Sequence, residues 1–308
     1  MIMKIKVPLL FSILILIGVY GCNGGGGHTD TPTSGNLAIV ADETYKPLVE
    51  SEVLTFESIY KYANVSVKYK PETEVFNDLM NNDSVRLIIV SRKLNKEELK
   101  QFEKWEIVPK VTKIAYDAVA LIGSKDLKDT VYTLDQLKEL LSAGVKNPQM
   151  KKTKVVFDNN NSSTIRFIHE KTGVKEFSSN CYALNSGPAV LDYVSKEKNC
   201  IGIIGVDWIS DQDDTTSQNF IKTVKVLDIA VSSDSEAFKP YQAYIAQKIY
   251  PLYREVYIIS KEAYTGLGTG FTAFVASERG QRIVLKLGLV PATMPVRLVE
   301  LIKDNITN

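Results

Sequence analysis

The sequence predicts an α/β protein with a largely parallel sheet, and three observations carry that reading. Short apolar runs alternate with amphipathic stretches along almost the whole chain, the pattern of strands followed by crossover helices. Several runs, such as "RLIIVS" and "CIGIIGV", are continuously apolar, as buried strands are. The chain has 308 residues, long enough for about two domains, yet no Gly/Pro linker cuts its body. Two lobes between which the chain passes twice satisfy both facts.

Taken in order, "NLAIV" from Asn36 reads as a buried strand. Tyr45, Leu48, Val49, Val53, Phe56 and Ile59 then recur at helical spacing. "NVSVKYK" alternates and reads as a strand, Val75, Phe76, Leu79 and Met80 mark a short helix, and "RLIIVS" is a strand. "NKEELKQFEKW" opens with Asn95 and has Glu98 three residues later, a variant of the capping box. "KIAYDAVALIG" is a long strand. The next helix, "TLDQLKELLSAG", carries Thr133 and Gln136 as its box and Gly144 as its stop. "KVVF" is a strand, "STIRFIHEKTG" a helix ended by Gly173, and Pro188 opens another before the strand "CIGIIGV". Ser210–Asn219 reads as a polar loop that separates this strand from "KTVKVLDIAV". "YREVYIIS" is strand-like, and the helix "SERGQRIVLKLG" closes at Gly288.

Composition narrows the function classes. Hydrophobic residues make up 44% and charged residues 24%, with a net charge of +1, so no basic excess points to nucleic acid. "MIMKIK" is followed by a largely apolar stretch of 13 residues, Val7 to Val19, the length of a signal-peptide core and short for a membrane span. Gly21 directly before Cys22 resembles a bacterial lipobox. That implies cleavage of residues 1–21, lipidation of Cys22, a flexible tether over residues 22–35, and membrane attachment through the lipid alone. Export leaves Cys181 and Cys200 in a compartment that permits a disulfide; two buried thiols are the equal alternative.

The densest polar stretch is "DNNNSSTIRF", Asp158–Phe167, between a strand and a helix. A helix beginning near Ser163 leaves its first amides without intrahelical partners. Ser162 or Ser163 capping one of them is one reading; an anion seat of free amides, Ser162, Ser163, Thr164 and Arg166 is the other. "ADETYKPL" places Thr44 and Tyr45, and "VSRKLN" places Ser91 and Arg92, at comparable strand ends, so the three loops can share one oxyanion.

In the order "ADETYKP", "LIIVSRKL", "YDAVALI", "TLDQLKELLSAG", "SST", "IGIIGVDW", "YPLYREVYIIS" and "ASERGQRIVLKLGLVP", the chain resembles the phosphate-binding component of bacterial phosphate ABC importers over about residues 36–295. The resemblance implies a type II periplasmic-binding fold of two α/β lobes joined by two crossing strands, "YDAVALI" and "YREVYII". One lobe would hold 36–115 with 258–308, the other 116–257. It implies a monomer in the bacterial cell envelope that faces the periplasm and passes inorganic phosphate, or a related oxyanion, to ABC permease subunits. Thr44, Tyr45, Ser91, Arg92, Ser162, Ser163 and Thr164 match the family's ligand loops. Three positions depart from it: Asp158 stands where the family usually has arginine, "PETE" with Glu72 and Glu74 replaces a Gly-Ser helix start, and Arg86 lies near a usual aspartate.

Other chemistries find less support. No metal spacing and no cofactor motif is present, since His28 and His169 are the only histidines. A serine hydrolase lacks the Gly-x-Ser-x-Gly elbow, and His169 lies too far along the helix from Ser163, as a surface residue. Gly266–Gly270 reads as a turn, not a phosphate loop. The alternative within the binding class is the same fold with a different ligand, or a sensor or scaffold role.

Overall fold

The structure is a computed structural model and describes residues 30–143, 147–211, 213 and 215–295. The expected leader, Cys22 with its lipidation, and Gly144 lie outside the described residues. The first half of the fold comprises β1 (Ser34–Asp42), α1 (Lys46–Ile59), β2 (Tyr62–Lys70), α2 (Glu72–Asn81), β3 (Leu87–Val90) and α3 (Lys96–Lys104). The long β4 (Lys110–Gly123) leads out of it. The second half follows with β5 (Val131–Thr133), α4 (Leu134–Leu141), α5 (Pro148–Lys152), β6 (Lys154–Phe157), α6 (Ser163–Thr172) and β7 (Cys181–Ala183). It continues through α7 (Gly187–Lys196), β8 (Cys200–Gly205), α8 (Asp207–Ser210), α9 (Thr215–Thr223), β9 (Lys225–Val226), β10 (Asp228–Ala230) and α10 (Gln242–Ala246). The chain returns on β11 (Tyr253–Ser260) and ends in α11 (Leu267–Ala276), α12 (Glu278–Lys286) and β12 (Val290–Pro291).

Among the described residues the main sheet runs β2-β1-β3-β11-β4-β8-β6-β7, with β12 and β9 also on β4. β1 pairs in parallel with β2 and β3, and β6 with β7 and β8, whereas β11 is antiparallel to both β3 and β4. Residues 110–118 of β4 pair with β11, and residues 119–123 pair with β8. β4 therefore belongs to both halves, which is how one chain makes two lobes without a linker.

Strand periodicity sends alternate side chains to opposite faces. Ile39, Ala41, Leu87 and Ile89 join the cluster of α1 and α11, with Leu48, Phe56 and Phe271. Val40, Ile88 and Val90 face the other way and meet Phe76, Leu79 and Phe102 of α2 and α3. Both faces are covered, so these strands are apolar without interruption.

Both expected capping boxes form, at Asn95/Glu98 and at Thr133/Gln136. Gly173 ends α6 at φ 69° and Gly288 follows α12 at φ 77°, the left-handed conformation that glycine adopts without strain. Two expectations need correction. The polar stretch Ser210–Asn219 gives way to α9 at Thr215, which runs into the first two residues of "KTVKVLDIAV"; the rest of that run divides between β9 on β4 and β10 on β5. Gly266–Gly270 opens α11, and Glu262 accepts from the amides of Gly268 (3.2 Å) and Thr269 (2.6 Å).

Cys181 and Cys200 are free thiols, not a disulfide. β6 lies between their strands, with Val155 opposite Cys181 and Lys154 opposite Cys200. Two strand spacings put them roughly 9–10 Å apart, beyond the reach of a bridge. Burial pushes the Cys181 thiol up to about 11 and that of Cys200 to about 12.

Glu52 on α1 is only 1% exposed, and neither carboxyl oxygen has a hydrogen-bond partner. Burial pushes it up from 4.5 to about 9, so the folded protein holds it neutral at pH 7. The unfolded chain releases that proton near pH 4.5 and the folded one near 9, so this group lowers stability as pH rises between them. Glu52→Gln is expected to stabilise the fold at pH 8 by about 1–3 kcal/mol, with little gain at pH 5, measured by urea unfolding at both pH values.

Candidate functional site

The two halves of the sheet run in opposite senses. β3 and β4 point the same way through their shared neighbour β11, while β8 is antiparallel to β4 and ends at Gly205, opposite Val119. The carboxyl ends of β1, β3, β6 and β8 therefore converge on the middle of β4, where open α/β sheets place ligands.

The floor of this cleft is a charged pair set in apolar strands. Arg254 of β11 and Asp117 of β4 are register partners, and Arg254 Nε donates to Asp117 Oδ2 at 2.7 Å. Arg254 Nη1 donates to Ser163 Oγ at 3.1 Å, and the guanidinium lies 5.3 Å from the centre of the Tyr45 ring. Nη2 makes no hydrogen bond. Burial opposes the charge, but Tyr45, Asp117 and Asp42 outweigh it and hold Arg254 above its ordinary value.

Two more buried carboxyls stand beside it. Asp42 Oδ1 accepts from the Thr44 amide at 3.1 Å, and its Oδ2 has no partner. Burial and the Glu72 charge push Asp42 up to about 7, against the pull of Ser163, Arg254 and the Thr44 amide. Neither oxygen of Asp207 finds a donor from another residue, and burial, with Asp117 adding to it, raises that carboxyl well above its usual range. Gly205 lets these groups close in, since a Cβ there would lie 2.4 Å from Thr44 Cγ2 and 2.9 Å from Asp207 Oδ1.

The "DNNNSST" loop proves to be capped and self-satisfied in part. Ser162 is the N-cap of α6, its Oγ accepting from the Ile165 amide at 3.2 Å and donating to Asp158 Oδ1 at 2.6 Å. Thr164 Oγ1 donates to Asp158 Oδ2 at 3.0 Å, and the Asn159 amide donates to Oδ1 at 2.9 Å. Burial raises Asp158, which these donors partly offset. Ser163 alone of the three hydroxyls turns toward Arg254, 3.4 Å from Thr44 Oγ1. The amides of Ser163 and Thr164 begin α6 and have no intrahelical acceptor. A cavity of about 250 Å³ opens beside this point, lined by Glu43, Thr44, Tyr69, Asp158 and Trp208 among others.

The remaining expected ligands lie elsewhere. Ser91 and Arg166 meet at the other end of the cleft, where both hydrogen-bond to Glu72. Arg92 forms a two-pronged pair with Glu98 (2.9 and 2.8 Å) and stacks 3.4 Å from the Phe76 ring centre, away from Arg254. Tyr45 is fully buried, with its ring beside Arg254 and its hydroxyl unpartnered. Arg86 binds Asp30, Glu262 and Tyr264 outside the cleft. His169 is half-buried, not a surface residue, and stacks on Phe177 at 4.3 Å. Among the described residues no group of three or more His, Cys, Asp or Glu is placed to hold a metal ion.

Neither Arg254 nor Asp117 is among the residues singled out from the sequence. The available signal was charge inside two apolar strands, Arg254 and Glu255 in "YREVYIIS" and Asp117 in "YDAVALIG", which the resemblance makes neighbours. A charge in such a strand is costly unless paired, so two of them on adjacent strands point to each other.

Two α/β halves sharing β4 and β11, with a polar cleft where the strands end, define a binding protein of the two-lobed periplasmic type. Residues 26–279 match the family model of the PBP superfamily domain, and the chain belongs to that family. A curated relative, the phosphate-binding protein PstS of Borreliella burgdorferi, is 23% identical over 92% of this chain and 98% of its own length. A crystal structure from Clostridium perfringens, of a candidate phosphate ABC transporter substrate-binding protein with bound phosphate, superposes with a TM-score of 0.70 at 22% identity. It covers 84% of this chain and all of that one. An ABC-type phosphate transport receptor from Vibrio cholerae reaches a TM-score of 0.63 at 18% identity, over 83% of this chain and 100% of its own.

Removing one member of a buried pair strands the other charge. Arg254→Ala is expected to cost about 3–5 kcal/mol, and Arg254→Ala with Asp117→Ala less than the two single losses summed, read from a double-mutant cycle of urea unfolding.

Proposed function

We propose that this chain is an extracytoplasmic solute-binding protein that captures phosphate in the cleft at Arg254 and delivers it to ABC permease subunits. The observation that carries the reading is a buried guanidinium whose Nη2 has no partner, set against Ser163 and the open start of α6. Such a place supplies charge-assisted and backbone donors to an oxyanion, each worth about 1.5–3 kcal/mol net. Asp42 and Asp207 accept the protons that phosphate carries or, held neutral by burial, donate their own. The names of the relatives in phosphate transport support the same substrate. The reading includes lipidation at Cys22, residence at the cell envelope facing the periplasm, and monomeric action. It divides the chain into 36–115 with 258–308 and 116–257. Binding involves no chemical step, so hinge closure and release do the work.

The excess of carboxylates over cations around Arg254 favours a second reading, in which the same cleft takes a ligand with more donors than phosphate. Calorimetry of the full chain against phosphate, arsenate and sulfate separates the two. Micromolar binding of phosphate and arsenate with weak sulfate binding is expected, since sulfate brings no proton to Asp42 and Asp207. Absence of micromolar binding for all three would sink the phosphate reading. Ser163→Ala is expected to weaken phosphate at least about tenfold, or about 1.4 kcal/mol, and Arg92→Ala less than about threefold.

A further inference from the structure

Glu72 is the first residue of α2, is 3% exposed, and stands in the half of the fold that holds β1 and β3. Four donor atoms converge on its carboxylate. Ser91, just past β3, donates its amide (3.1 Å) and its Oγ (2.8 Å) to Oε1. Arg166 of α6, in the other half, donates Nε to Oε2 (2.5 Å) and Nη2 to Oε1 (3.3 Å). Arg166 Nη2 also donates to Ser91 Oγ at 2.7 Å, which closes the ring of contacts. Nη1 goes to Glu170 at 2.8 Å, so the guanidinium is oriented from its own helix. Next to this cluster the two halves touch again, where the Thr73 amide and Oγ1 donate to Asn161 O at 3.5 and 3.4 Å.

A backbone amide, a hydroxyl and an arginine fork make the donor set of an oxyanion site. Here the chain's own carboxylate fills it. We propose that Ser91 and Arg166 form an anion subsite for a carboxylate, and that Glu72 is its built-in ligand, drawing the two lobes shut with no oxyanion added. The groups facing Glu72 are consistent with that role. Arg166 is the cation, Glu170 shares it from the solvent side, and the Glu72 charge also acts on Asp42, at the end of β1 in the same half. An incoming anion at this end of the cleft must displace Glu72 from Ser91. An oxyanion at Arg254 need not.

The inference stands on the closed geometry and not on the identity of the solute, so its test omits phosphate. The full chain and its Glu72→Gln, Glu72→Ala and Arg166→Gln variants are compared in phosphate-free buffer. The readouts are the radius of gyration from small-angle scattering and hydrogen exchange at the Thr73 amide. The wild type is expected to remain compact. All three variants are expected to expand to a common open form, with Thr73 exchange at least about tenfold faster, or about 1.4 kcal/mol. Millimolar acetate, which restores the missing carboxylate, is expected to compact Glu72→Ala again, while chloride does not. An expanded wild type, or variants as compact as the wild type, overturns the latch; no response of Glu72→Ala to acetate overturns the subsite. Glu72→Gln keeps the side-chain volume and Arg166→Gln attacks from the opposite lobe, so a folding failure in Glu72→Ala alone leaves both comparisons decisive. Loss of the phosphate reading in calorimetry leaves this result untouched, and the reverse holds.

Discussion

The ion pair of Arg254 and Asp117 sits at the point where everything else in the molecule meets. It joins β11 to β4 in register, on the two strands that both halves share. Through Nη1 it also holds Ser163, and with it the start of α6 from the second half of the fold. A guanidinium there loses its hydration but keeps its proton, so a lone one would carry the full cost of a buried, unpaired charge. Asp117, Tyr45 and Asp42 keep it charged. In turn Arg254 is the cation whose attraction Asp42, Asp158 and Asp207 all feel, against the burial that raises each of them. Take it away and burial holds these carboxyls still more firmly protonated.

A second theme is that the chain meets many of its own anion sites with carboxylates of its own. Glu262 caps the glycine-rich start of α11, Asp158 collects the hydroxyls of Ser162 and Thr164, and Glu72 occupies Ser91 and Arg166. Each satisfies donors that would otherwise be buried without partners. The consequence for function is selective. Among the described residues, Arg254 Nη2, the Tyr45 hydroxyl beside it and the first amides of α6 are donors left unmatched around the cleft. A polar loop is therefore a poor guide to a ligand site until its internal partners are known, as "DNNNSST" illustrates: two of its three hydroxyls serve Asp158.

Much of the fold was legible because its signals are local. Capping boxes at Asn95 and Thr133 and the glycines at 173 and 288 act within one turn of backbone, so their residues announce them. Other elements depend on a neighbour distant in sequence. "KTVKVLDIAV" is apolar enough for one strand, yet it splits because β4 and β5 offer edges in two different sheets. Gly266–Gly270 has the composition of a turn, yet Glu262 supplies the cap that starts a helix there. Arg92 has the right chemistry for an oxyanion and the right place at a strand end, but Glu98 and the Phe76 ring hold it aside.

The α/β class, most elements and the loops from which a site would be built follow from the order of residues alone, because hydrophobic period and capping chemistry are properties of adjacent residues. Which charges face one another follows from the folded arrangement. Arg254 and Asp117 are 137 residues apart in sequence, and Arg166 and Glu72 are 94 apart. Their pairing follows from strand register and from the meeting of two halves at one cleft; charge inside two apolar strands hints at the first pair, and nothing near Arg166 or Glu72 marks the second. So the chain names its polar residues openly, and the fold alone assigns each of them to a partner or to a ligand.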